Sequence, residues 1–165
     1  MTMRISGIVP ESIVDGPGIR FVVFAQGCLH NCPGCHNPQT HDLSGGSEIS
    51  PVELVDRLSK ALDDNPLIDG ITLSGGEPML QAASFIPLAD YAHDRGLDVW
   101  LYTGYTAERI LAECGRDELE LMCKADVLVD GPFEAAQRTI EIPFVGSTNQ
   151  RVIKSPRSLL DAEAV

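Results

Sequence analysis

Short apolar segments, each closed by glycine, recur along this chain at intervals of about 25 residues, with helix-forming stretches between them. That alternation restricts the fold more than any other feature. Ile19–Ala25 (IRFVVFA) reads as a strand from its β-branched and aromatic run. Gly70–Ser74, Leu97–Tyr102 and Asp126–Asp130 read likewise, ending in Gly75-Gly76, Thr103-Gly104 and Gly131-Pro132, and Arg151–Ile153 is a candidate fifth. Between them, Ser50-Pro51-Val52-Glu53 opens a helix: Ser at the N-cap, Pro in the first turn and Glu three residues after the cap. Met79–Arg95 is expected to be helical, with a kink or break at Pro87, and Thr106 caps a helix that Gly115 ends. Strands alternating with helices predict an α/β fold with a parallel sheet. In such sheets the binding loops gather at the carboxyl ends of the strands. The motifs that carry chemistry here nearly all follow a strand directly, which puts them on one rim.

The chain has 165 residues, enough for one domain spanning 1–165, with a core of about 8–153 and a tail over 154–165. With 44% hydrophobic and 22% charged residues it is globular rather than disordered. A net charge of −12 excludes a duplex-binding surface, so no nucleic-acid partner is expected. The N-terminus lacks the apolar core of a secretory signal, and no stretch reaches the ~18 apolar residues of a membrane span. A cytoplasmic location follows as the expectation, with no membrane association. Thiols are reduced there, so clustered cysteines are ligands or catalysts before they are disulfides. Five cysteines also leave one unpaired in any all-disulfide scheme.

Three of the five, Cys28, Cys32 and Cys35, lie within eight residues in a loop rich in Gly, Pro and Asn. Such a loop can turn three sulfurs toward one soft metal centre, and three thiolates can hold three irons of a cubane cluster with the fourth iron open. Two alternatives stand beside this. A structural zinc site would recruit His30 or His36 as a fourth ligand, although no second cysteine knuckle exists to complete the usual pattern. An electron-carrying ferredoxin would need a fourth cysteine. Cys114 and Cys123 are available, but their surroundings read as helix, where plain semi-buried cysteines are common.

C-x3-C-x2-C followed, after the next strand, by Gly75-Gly76-Glu77-Pro78 resembles the radical S-adenosylmethionine superfamily. Within it the chain is similar to the activating proteins of anaerobic ribonucleoside-triphosphate reductases, the small activases of glycyl-radical enzymes. The matching segments are Asp15–Arg20, Gly27–Asn37, Leu73–Pro78, Trp100–Tyr105, Val127–Gly131 and Gly146–Gln150, in order over nearly the whole chain. One departure stands out. Many superfamily members carry an aromatic residue just before the third cysteine, where this chain has Gly34, followed after Cys35 by His36.

The resemblance implies a partial, open parallel β/α barrel. It also implies a 4Fe-4S cluster held by Cys28, Cys32 and Cys35, whose open iron takes S-adenosylmethionine and whose electron cleaves it to a 5′-deoxyadenosyl radical. Gly34, Cys35 and His36 would then lie against the cofactor, and Gly75 and Gly76 would meet its methionyl amine, with Glu77 ordering the loop. For Gly75-Gly76-Glu77-Pro78 alone, a tight strand-to-helix turn is the plainer account. Thr103 and Asp130 face the same rim; Asp130 is a candidate acceptor for ribose hydroxyls or the amine, against an ordinary turn aspartate. Asp15-Gly16-Pro17-Gly18 is either an entry loop touching the partner or a plain turn. Arg20, Arg151 and Lys154 are candidates to neutralise a carboxylate, against solvated surface. The implied function is an activase that abstracts hydrogen from a glycine of a large partner, the anaerobic reductase, with a flavodoxin or ferredoxin as electron donor. The alternatives are activation of another glycyl-radical enzyme, a small-molecule radical enzyme, and a non-enzymatic carrier or zinc module.

Overall fold

All the apolar segments pair into one seven-stranded sheet. The computed structural model describes residues 1–163. Its strands are β1 (Met3–Ser12), β2 (Arg20–Ala25), β3 (Ser47–Ile49), β4 (Gly70–Gly75), β5 (Asp98–Tyr102), β6 (Val127–Asp130) and β7 (Arg151–Lys154). The helices are α1 (Pro51–Asp64), α2 (Ala82–Asp94), α3 (Ala107–Glu113), α4 (Arg116–Lys124) and α5 (Ser158–Glu163). The order across the sheet is β3-β1-β2-β4-β5-β6-β7. β2, β4, β5 and β6 run parallel, while β1, β3 and β7 add antiparallel pairs at the two sides. The sheet is not closed. The expected open α/β architecture holds, with antiparallel margins that the alternation of strands and helices does not encode.

Period-two side chains divide the parallel strands into two faces. Phe21, Val23 and Ala25 of β2, Ile71 and Leu73 of β4, and Val99 and Leu101 of β5 pack in one cluster with Leu54, Leu58, Phe85, Leu88, Ile110 and Leu121 of the helices. Burying each large apolar side chain contributes about 1.5–3 kcal/mol over leaving it exposed. On the other face Val22, Thr72, Trp100 and Val127 share one register row. There Trp100, Val127 and Val129 pack with Tyr102, Phe144 and Val145, the last two from the segment between β6 and β7. All the core-packing helices therefore cover one face, which leaves the other, and its rim, for a ligand.

Arg20 departs from the solvated reading. It is fully buried at the amino end of β2, where Nε donates to Thr72 Oγ1 at 3.2 Å and Nη2 to the Ile71 carbonyl at 2.6 Å. Its Nη1 pairs with Asp98, and the guanidinium lies 5.8 Å from the Trp100 ring centroid. Removing the carboxylate strands a buried charge. Asp98→Ala is expected to cost about 3 kcal/mol and lower the melting temperature by roughly 6–12 °C. A shift below about 2 °C in a calorimetric scan would show that Thr72 and the carbonyls suffice without Asp98.

Local signals fared unevenly. Ser50 caps α1 as expected, its hydroxyl accepting from Glu53 N at 3.1 Å. Thr106 caps α3 in the same way. Pro87 neither breaks nor ends its helix: α2 runs through it, since Pro87 is exposed while Phe85, Leu88, Ala89 and Ala92 stay buried against the sheet. Gly115 ends one helix and also begins the next, α4. Within the expected tail, 154–165, Ser158–Glu163 form α5, and residues 164 and 165 lie outside the described residues. Among the described residues no helix is long and apolar enough to cross a membrane.

Candidate functional site

The cysteine loop leaves β2 and is pinned at once. Gly27 N donates to the Thr40 carbonyl at 2.7 Å and Cys28 N to the His41 carbonyl at 3.2 Å. Left-handed backbone at Asn31 (φ 48°) and Gly34 (φ 74°) brackets a tight reversal in which Cys35 N donates to the Cys32 carbonyl at 3.1 Å. The reversal sets Cys32 and Cys35 at the two ends of one turn. All three thiols are free and half-buried.

The next loop is stitched onto the first. Gly76 N donates to the Ala25 carbonyl and Glu77 N to the Gly27 carbonyl, both at 2.8 Å. Gly75 has φ 93°, and a Cβ there would sit 2.6 Å from Ala25 N. A Cβ on Gly76 would run into the Gly27 carbonyl oxygen and lie 3.0 Å from its carbon. Both glycines are therefore required by backbone packing before any ligand is considered.

Glu77 is 1% exposed, and its carboxylate accepts four hydrogen bonds. Oε1 takes Met79 N at 3.0 Å and Thr103 Oγ1 at 2.9 Å. Oε2 takes Gly104 N at 2.8 Å and lies 2.6 Å from His30 Nε2, which donates to it in the Nε2-protonated tautomer. Three loops, following β2, β4 and β5, thus meet on one buried carboxylate. The expectation that Glu77 orders its own loop understates this, because sequence spacing does not show that Thr103, Gly104 and His30 converge on it.

Around this knot opens a cleft of about 1010 Å³. Cys28, Cys32, Cys35, His36, Gly75, Gly76, Thr103 and Gly104 all line it. Phe133, from the loop after β6, also lines it, 4.8 Å from the His36 ring centroid and tilted 48° to it. The Phe133 ring passes Gly34, whose absent Cβ would have stood 3.6 Å from Cε1. Sequence reasoning missed Phe133; its one signal is its place two residues after the Gly131 that closes a strand. Asp130 stands elsewhere. It is buried, with its carboxylate accepting from Ala107 N at 2.8 Å at the start of α3 and from Arg151 Nε at 3.0 Å. Arg151 also grips Glu108 through Nη1 and Nη2, and those hydrogen bonds hold the Glu108 carboxyl down at about 2. Both Asp130 and Arg151 are thereby committed to fastening β7 and α3. Lys154 is exposed at the end of β7.

Burial pushes the Cys28 thiol up, opposed by the His30 and Asn31 amides and reinforced by the Glu77 charge. A thiol in that position holds its proton until a cation takes its place, as metal binding requires. Three soft donors in one cleft, with the neighbouring carboxylate already engaged, match the chemistry of an iron–sulfur cluster better than that of a hard cation. Among the described residues no group of three His, Cys, Asp or Glu side chains is arranged to hold a metal ion. The case for ligation is therefore one of donor chemistry and a shared cleft.

Residues 14–153 match a family described as a 4Fe-4S single cluster domain. The anaerobic ribonucleoside-triphosphate reductase-activating protein of Salmonella typhi is 34% identical over 155 residues, covering 91% of this chain and 97% of that protein. The pyruvate formate-lyase-activating enzyme of Clostridium pasteurianum is 42% identical over 107 residues, 62% of this chain but 44% of that one. In three dimensions the chain is similar to QueE from Escherichia coli, with a TM-score of 0.51 over 79% of this chain and 71% of that one, at 16% identity. That likeness speaks for the fold alone.

Proposed function

This chain belongs to the 4Fe-4S single cluster domain family and to the anaerobic ribonucleoside-triphosphate reductase-activating proteins, and we propose that its cleft activates such a reductase. It is a radical S-adenosylmethionine enzyme of the glycyl-radical-activating kind. The observation that carries the assignment is that three thiols and the Gly75-Gly76 backbone line one cleft beside the buried Glu77.

Cys28, Cys32 and Cys35 are the side chains that would hold a 4Fe-4S cluster. When bound, that group would supply the reducing electron for cleavage of S-adenosylmethionine, the chemistry by which a glycine of the reductase would be activated. The Gly75-Gly76 backbone receives the methionyl amine, which the absence of side chains there permits. His36 and Phe133 pack on each other beside Gly146 and offer ring faces to the adenine. Thr103 and Gly104 line the same cleft, fixed by Glu77 rather than free to move. Asp130 acts from behind, keeping α3 and β7 in place through Ala107 N and Arg151. A small flavodoxin or ferredoxin supplies the electron, and the reaction runs in the cytoplasm, where the thiols stay reduced.

Exposed apolar side chains at the cleft support a protein substrate. Val14 (76% exposed), Ile140 (91%) and Ile142 (44%) all line it, and Ile13, next to Val14 in the chain, is exposed as well. A docked loop would cover these groups and shut out water during radical transfer. Reductase deuterated at glycine is expected to pass deuterium into 5′-deoxyadenosine while a stable glycyl radical appears in electron spin resonance. Deoxyadenosine free of deuterium, formed as a ribonucleotide or other metabolite is consumed without partner, would mean a small-molecule enzyme. Ile140→Asp is expected to lower the glycyl radical formed per deoxyadenosine about tenfold, the effect of losing about 1.4 kcal/mol of docking energy. An unchanged ratio would remove this lip from the docking surface.

A further inference from the structure

We propose that His30 is a positioning residue, a latch that holds the thiol loop against the Gly-Gly-Glu loop so that Cys28 and Cys32 stand ready before any cluster binds. The proposal rests on the reading that those thiols take the cluster, but its geometry is separate. His30 lies between Cys28 and Cys32 in sequence, and its Nε2 is 2.6 Å from Oε2 of the buried Glu77. The ring is only 15% exposed and meets Tyr105 edge-on, with centroids 4.7 Å apart and planes at 72°. The strongest sign that its seat is built is Gly104. A Cβ there would run into the imidazole Cδ2 and lie 2.6 Å from Nε2, while Gly104 N itself donates to the same Glu77 oxygen. The chain thus leaves a side chain out of β5's loop to admit a ring from β2's loop. With Nε2 engaged by Glu77, that nitrogen is not offered to a metal. His30 acts on the cluster site through the backbone it tethers.

The test begins on metal-free protein, with alkylation by iodoacetamide followed at each cysteine by mass spectrometry. His30→Ala is expected to speed alkylation of Cys28 and Cys32 about tenfold, the scale on which one charge-assisted hydrogen bond holds a loop. Cys114 and Cys123, outside the cleft, should keep their parent rates. Gly104→Ala should match His30→Ala, because it expels the same ring, and the double variant should be no faster than either single one. His30→Gln, whose amide can still donate to Glu77, should recover most of the parent protection. Unchanged rates in both single variants, additive effects in the double, or a rise at all five cysteines would overturn the latch. Iron uptake on reconstitution separates the two readings. The expected alkylation pattern without iron binding would refute the cluster assignment and leave the latch standing. Normal iron uptake and cofactor cleavage with unaltered alkylation would refute the latch alone.

Discussion

Protein carrying Cys28→Ala, Cys32→Ala or Cys35→Ala is expected to emerge from anaerobic reconstitution without a cluster, where the parent takes up about four irons. A three-thiolate site would already have one iron without a protein ligand, so removing one of the three anchors would leave the cluster on two, and the nearby His36 ring is packed on Phe133. Glu77 is fully engaged, and His30 Nε2 is turned to it. Cys114 and Cys123 cannot substitute. Cys114 packs against the helix-side core at the end of α3, and Cys123 sits within α4. Cys114→Ala and Cys123→Ala should therefore keep full iron content and the visible absorption of the cluster. Loss of the cluster in either would revive a four-cysteine carrier. Tight zinc binding with no iron–sulfur absorption in the parent would turn the site into a structural metal knuckle.

The parallel strands were legible because each is buried on both faces and so reads as a continuous apolar run closed by glycine. β1 was not. It carries Gly7 and Pro10, is irregular in register against β2, and exposes much of its length, so its residues imitate a loop. β7 was found as a segment, but its antiparallel direction depends on how the chain returns after Gly146, which no local pattern records. The cysteine segment was legible as a loop after a strand because the Gly, Pro and Asn between its three thiols interrupt both strand and helix patterns. The Glu77 knot was not, since its partners lie 26, 27 and 47 residues away, and only the sheet order brings those loops together. Arg20 shows the converse limit. A charged residue at the head of an apolar strand reads as surface, and only the parallel pairing that brings Thr72 and Asp98 beside it makes a buried seat.

Gly76→Val is expected to lose both iron and S-adenosylmethionine binding, and the joint loss is what distinguishes the geometry from the simpler reading. If Gly76 only let the backbone approach the cofactor, a side chain there would weaken cofactor binding and spare the cluster. The contacts say otherwise. Any Cβ at Gly76 meets the Gly27 carbonyl, one residue before Cys28, and lies 3.1 Å from the Ala25 carbonyl oxygen. Relief requires the two loops to part, which breaks Gly76 N to Ala25 and Glu77 N to Gly27, each worth about 1 kcal/mol net. A branched side chain adds about 1–3 kcal/mol of overpacking. The total of about 3–5 kcal/mol is more than a hundredfold in the population of the assembled site. Parting the loops also moves Glu77, and with it the hydrogen bonds to Thr103, Gly104 and His30. Iron assay after reconstitution and equilibrium dialysis with S-adenosylmethionine read the two losses separately. Full iron with weakened cofactor binding would confine Gly76 to the cofactor. Parent values for both would mean that the cysteine loop does not depend on its contact with Gly76, and the stitched-loop geometry would fail with it.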